Sequence, residues 1–272
     1  MIYSTLSIKQ SGSVLFANLN RPAARNAMNR QMVADLLAFF TSIRDDRSVR
    51  VVVLGAEGSA FCAGGDLKEM QASFSEDEET QVAYVRVFDE MLTAVLTAPQ
   101  VTIAQIHGSV LGGGLGLVCV CDMAVAAEDA SLGLPEVRLG LVPAVISPYV
   151  VARVGLAQTR QLMLTGARLD GVQAAAAGLV TMAVPSDTLE AQVRSIVNDV
   201  LQASPQALAA CKELLFTVNE KHPAETAVYR LNLLNQLRKS QEGQEGMMAF
   251  IQKRPPRWVE TLEDYGTNRP TD

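Results

Sequence analysis

Twice in this chain an apolar, β-branched run passes through a cluster of glycines into a helical pattern. Residues 51–54 (VVVL) lead into GSAFCAGGDLKEM, and about fifty residues later 101–106 (VTIAQI) lead into HGSVLGGG and a helix starting over 115–121. Short apolar runs bounded by glycine read as buried strands, and the periodic residues beyond read as helices. This weak internal repeat of strand, turn and helix places the chain in the α/β class.

Glycine at such a turn can take positive φ and puts no Cβ in the way, so backbone N–H groups can face a ligand. Ala63-Gly64-Gly65 and Gly112-Gly113-Gly114 are therefore two candidate anion holes. Donors from both converging on one oxygen would stabilise an oxyanion by several kcal/mol, which favours an enolate. One such turn would serve equally for close helix–strand packing; two in matching contexts favour the ligand. No nucleotide signature fits: GK[ST] does not follow Gly112–Gly116, Leu117 and Cys119 stand where GxGxxG needs its third glycine, and GxSxG is absent.

Around these turns, residues 3–10 and 14–20 alternate apolar and polar about Ser11-Gly12, a hairpin that Pro22 ends. A helical stripe (Met32, Leu36, Leu37, Phe40) covers 29–45, and between the repeats lie an acidic stretch, 75–80, read as solvated surface, and a helix ending before Pro99. A third unit occupies 123–127 and 131–134, then a loop over 135–143, after which helical patterns dominate. Helices are expected over 187–203, 205–219, 224–239 and 241–253. The late run of helices suggests a separate unit, 204–272, suited to oligomerisation, beside a core of 1–203.

Nearly half the residues are hydrophobic but 5% are aromatic, so the core must come from Ala, Val, Leu and Met. With 23 basic and 29 acidic residues the net charge is −6, which provides no uniform field for nucleic acid or anionic lipid. No apolar run approaches the roughly 20 residues that span a bilayer, and MIYSTLSIKQ lacks the charged and apolar regions of a signal peptide. A cytoplasmic protein with no membrane or nucleic-acid partner is expected. Cys62, Cys119, Cys121 and Cys211 form no CxxC, and His107 and His222 form no HExxH, so neither a disulfide nor a protein-held metal is expected. His107 reads as structural.

Four stretches in order, LNRPAARNAMN, FCAGGDLKEM, HGSVLGGGLGLVCVCDMAVA and GLPEVRLGLVP, resemble the crotonase (enoyl-CoA hydratase/isomerase) superfamily over nearly the whole chain. The resemblance implies a spiral of ββα units with a C-terminal helical trimerisation region, assembled as a trimer or a hexamer (dimer of trimers). It implies an acyl-CoA thioester as partner, with coenzyme A part of the substrate and no cofactor held by the protein. The implied oxyanion donors are the backbone N–H groups of Gly65 and Gly113. Ala24, Arg25, Ala27, Ala63, Asp66, Leu67 and Lys68 would cradle the CoA, and Phe250 and Lys253 would lie near the adenine and 3′-phosphate, of this chain's ligand or of a neighbouring subunit's.

The carboxylates depart from the pattern of a two-glutamate hydratase of this family. Such an enzyme carries one Glu two residues beyond the GGG and another twenty residues later in a PE dipeptide; here the second is Glu136, and Gly116 holds the first position. Between Pro135 and Val137, partial burial would raise the pKa of Glu136 toward the working range. A single carboxylate must then serve both protons of a hydration, or shuttle one in a double-bond isomerisation. Gly116 would also remove a like charge and open space for an acyl chain bearing its own carboxylate. The sequence is similar to bacterial hydratases of 3-substituted glutaconyl-CoA thioesters, isohexenylglutaconyl-CoA or 3-methylglutaconyl-CoA, in acyclic terpene and leucine catabolism. A Δ3,Δ2-enoyl-CoA isomerase and a noncatalytic acyl-CoA-binding oligomer are the alternatives.

Overall fold

A computed structural model describes residues 3–219 and 221–262. The hairpin forms as expected: β1 (Leu6–Ser11) and β2 (Val14–Leu19) pair antiparallel across Gly12, whose φ is +54°. Asn29 then caps α1 (Arg30–Ile43) by accepting the Met32 N–H at 3.0 Å. Met32, Leu36, Phe39, Phe40 and Ile43 recur at helical spacing and are buried, which presses this face onto the core. In β3 (Val51–Ala56), Val51 to Leu54 are at most 1% exposed. A parallel strand covered on both faces explains why that run is continuously apolar rather than alternating.

Asp66 caps α2 (Leu67–Ala72), and Asp77 caps α3 (Glu78–Leu96) by accepting the Thr80 N–H at 2.8 Å. The acidic stretch is thus not only solvated surface, because Asp77 starts a helix and Glu76 pairs with Arg30. The second and third units follow as β4 (Val101–Ile106), β5 (Ser109–Leu111), α4 (Gly113–Cys119), β6 (Met123–Ala127) and β7 (Ser131–Gly133). Next come α5 (Ser147–Thr165), broken at Gly155 with φ +74°, then β8 (Arg168–Asp170), α6 (Gly171–Ala176) and β9 (Met182–Val184). The chain continues through α7 (Leu189–Leu201), α8 (Pro205–Val218), α9 (Ala227–Lys239) and α10 (Gln241–Ile251).

Six strands form one sheet in the order β1-β2-β3-β4-β6-β9, parallel from β2 onward, and β5-β7-β8 form a second. β4 and β6 lie in the first sheet and the strands that follow them, β5 and β7, in the second, which makes the fold a layered α/β spiral. The sequence reading missed β5, β8 and β9. Each has three residues, too few to display alternation, and each is specified by its partners in the sheet.

The chain's far end is tied to the spiral by buried Arg50, 7% exposed, just before β3. Its guanidinium donates to Trp258 O at 2.7 Å and to Leu201 O at 3.1 Å, and Glu260, 4.0 Å away, accepts from Ser13 N at 3.0 Å. Removing the guanidinium would leave several carbonyls without a donor, at about 1–3 kcal/mol for each one buried. We expect Arg50→Leu to lower the urea midpoint by the equivalent of about 3 kcal/mol with an unchanged slope; a midpoint within error of the parent would refute this clamp. Lys212 on α8 makes a second tie, donating to Gln100 O at 2.7 Å and to Asp122 at 2.6 Å.

Candidate active site

The two glycine turns meet. Gly64 takes φ +100° and Gly112 φ +51°, and a Cβ on Gly112 would lie 3.9 Å from Gly64 Cα. The second sheet brings them together: the segment before Gly64 joins β5 through Leu111 N–H to Cys62 O at 2.9 Å, and Gly112 N–H donates to Gly133 O at 3.0 Å. His107 braces the first turn, with its Nε2 2.8 Å from Gly58 O.

Met28 pairs with Gly65 in a parallel bridge whose bonds are Met28 N–H to Gly64 O, 2.7 Å, and Asp66 N–H to Met28 O, 3.0 Å. Those bonds use the residues flanking Gly65, so the N–H of Gly65 itself points away from Met28. Gly113 is the first residue of α4, where an N–H has no carbonyl one turn back. The Leu115 and Gly116 N–H groups bond Gly112 O at 2.8 and 3.2 Å, whereas that of Gly113 finds no partner among the described residues. Both glycines line a cavity of about 370 Å³.

Glu136 lines the same cavity from a 3-10 turn, Pro135–Leu139, that Pro135 starts and the Leu141 N–H to Glu136 O bond of 3.0 Å closes. Its Oε1 lies 2.8 Å from where a Cβ on Gly112 would sit, so the carboxylate reaches this turn because residue 112 has no side chain. Oε2 is buried and has no hydrogen-bond partner among the described residues. Burial pushes the carboxyl above its ordinary value, opposed only by its own backbone N–H. A partly desolvated carboxylate whose Oε2 has no partner among the described residues, in one cavity with the Gly65 and Gly113 amides, can accept a proton from water or from carbon and return it.

Gly116 corrects an expectation. It opens no space, because a Cβ there would collide with Ile146, whose own Cβ stands 2.8 Å from that point. Gly116 is buried under Ile146 and does not line the cavity; Ile146, 3% exposed, does. A side chain at 116 would therefore require Ile146 to move.

Of the residues expected at the CoA, Ala63, Asp66 and Leu67 line the cavity. Ala24, Arg25, Ala27 and Lys68 stand outside it, on the loop joined to the first glycine turn by Ala63 N–H to Arg25 O at 3.0 Å and on the first turn of α2. Asp66 is already engaged, capping α2 and pairing with Arg21 at 3.0 Å. Phe250, 86% exposed, and Lys253 do not reach this chain's own cavity. Arg138, on the turn that carries Glu136, donates to Thr165 O at 3.0 Å.

The sequence reading missed Arg30, Tyr84 and Phe88, which line the same cavity as Glu136. In the sequence Arg30 shows only as a charge at the start of the helical stripe; the structure makes it the first residue of α1, after the Asn29 cap. Among the described residues no group of three or more His, Cys, Asp or Glu could hold a metal ion, and no helix is long and apolar enough to cross a membrane.

A family model described as "Enoyl-CoA hydratase/isomerase" matches residues 9–261. The "Probable enoyl-CoA hydratase echA8" of Mycobacterium bovis is 32% identical over 260 residues, 95% of this chain and 99% of that protein. Among solved structures, Pseudomonas aeruginosa AtuE is 41% identical with a TM-score of 0.92, over 94% of this chain and 100% of that one. An enoyl-CoA hydratase/isomerase from Marinobacter aquaeolei is 38% identical with a TM-score of 0.91, over 94% and 99% of the two chains.

Proposed function

This chain belongs to the enoyl-CoA hydratase/isomerase family and is an enzyme of the enoyl-CoA hydratase type, and from that premise we propose that it hydrates a branched enoyl-CoA, a 3-substituted glutaconyl-CoA, with Glu136 as its single acid–base. The observation that carries the reading is one partly desolvated carboxylate, its Oε2 without a partner, in a cavity it shares with two glycine turns whose Gly65 and Gly113 amides have no partner among the described residues.

In this mechanism the thioester oxygen accepts from the Gly65 and Gly113 N–H groups. Ionised Glu136 takes a proton from water as the oxygen adds to Cβ, and the electron pair of the double bond moves onto the thioester as an enolate. Glu136, now protonated, returns that proton to Cα, so one water is added across the bond. A raised pKa suits a group that must both accept and return a proton near neutral pH. Because position 116 is glycine and carries no carboxylate, both transfers fall to Glu136.

Leu139, Leu141 and Val142 line the cavity yet are 61%, 44% and 70% exposed, an apolar wall suited to a branched acyl chain. The exposed Leu215, Val228 and Leu231 on α8 and α9 support assembly as a trimer or a dimer of trimers. One carboxylate would serve equally for Δ3,Δ2 isomerisation, the second reading. Loss of conjugated enoyl-thioester absorbance with isohexenylglutaconyl-CoA or 3-methylglutaconyl-CoA, and little with crotonyl-CoA, is the expected result. Double-bond migration with deuterium uptake and no hydrated product would replace hydration by isomerisation, and binding without any turnover would leave a silent acyl-CoA binder.

A further inference from the structure

We infer that Arg30 is the specificity-determining residue that holds the free carboxylate of the acyl chain, with Glu76 as the internal competitor for the same guanidinium. The inference rests on the proposal that the substrate is a glutaconyl thioester.

Arg30 is the one basic side chain on the cavity wall among the described residues. The carboxylates on that wall are Asp66, Glu69 and Glu136. Asp66 is spent on Arg21 and on capping α2, and Glu69 accepts the backbone N–H of Arg30 at 2.8 Å. Without Arg30 an anionic acyl chain would meet only like charge, which is costly in a partly apolar pocket. Arg30 is held in place: Asn29 fixes the start of α1, and the guanidinium lies over the Tyr84 ring, 5.1 Å from its centroid. Tyr84 lines the cavity too, so both members of this stack belong to the cavity wall.

A guanidinium offers five donors in a planar fork suited to a carboxylate. Glu76 engages one nitrogen, and the other donors of the Arg30 side chain have no partner among the described residues. A substrate carboxylate can therefore pair with the open edge while Glu76, which does not line the cavity, competes from outside. The recognised chemistry is a carboxylate on a CoA-linked chain, at the end opposite the thioester.

The test uses calorimetric binding of two saturated thioesters, 3-methylglutaryl-CoA and 3-methylpentanoyl-CoA, which differ by a carboxylate in place of a methyl. Wild-type protein should prefer the diacid by roughly tenfold or more, and Arg30→Met should reduce that ratio to below about threefold. Glu76→Gln should tighten the diacid alone by about threefold, and it decides the matter if Arg30→Met does not fold. Equal affinities in wild type, a preference surviving in Arg30→Met, or no gain in Glu76→Gln would each overturn the assignment. The binding ratio is read without turnover: a preference with no hydration of any glutaconyl thioester would sink the hydratase reading and keep the role of Arg30, whereas hydration with equal affinities would do the reverse.

Discussion

Glu136→Gln should lower kcat for hydration by at least about a thousandfold while leaving the affinity for a saturated acyl-CoA within about threefold. The amide keeps the shape of the side chain against Gly112 but can neither take a proton from water nor hand one to carbon. Stopped-flow loss of enoyl absorbance, paired with calorimetric binding, separates the two effects, and a variant retaining a tenth of the parent kcat would remove Glu136 from the chemistry.

The same substitution carries a stability signature of opposite sign. Burial raises the folded-state pKa of Glu136 above its unfolded value, so between those values the folded chain binds more protons than the unfolded one. Stability contributed by this group is therefore present below the unfolded pKa and declines as pH rises through the folded pKa. Glu136→Gln should be more stable than the parent at neutral pH, with the gap closing as the solution is acidified below the ordinary carboxylate range. Activity in the parent should rise with pH across the interval where this stability is given up. A gap of constant size at every pH would mean that the carboxyl is not desolvated as its buried Oε2 requires.

Elements that advertise themselves along the chain were legible in sequence. The apolar run at 101–106 became β4, and the stripe after Asn29 became α1 with Asn29 as its cap. The paired glycine clusters foretold adjoining turns, since the positive φ at Gly64 and Gly112 is a local requirement that only the residue type has to satisfy. Features specified by contacts distant in sequence were not legible. Ile146 lies thirty residues beyond Gly116 at the start of another helix, and its seat over α4 reverses the expectation that Gly116 opens space. Arg30 was visible only as a charge, because its role depends on Tyr84 and Glu76 reaching it from other elements. Phe250 and Lys253 stand away from this chain's cavity, so their expected role calls for a neighbouring copy.

Replacing Gly113 by proline should reduce kcat by roughly 100- to 1,000-fold, the cost of removing one oxyanion donor. Proline deletes the N–H at the position a helix best accepts it, the first residue of α4, where that N–H bonds nothing within the fold. The ring also adds a Cβ, which would sit 3.1 Å from Phe88 Cζ on the cavity wall. Gly113→Ala supplies the control, since it adds the same Cβ and keeps the donor. If the alanine variant holds within about tenfold of the parent while proline falls a further tenfold or more, the difference belongs to the lost N–H rather than to crowding at Phe88. Glu136 is untouched in both, so the rise of activity with pH should keep its midpoint while its plateau drops. Equal losses in the two variants would place the thioester oxygen elsewhere and leave the glycine turns a packing role, the reading that a single turn would have deserved.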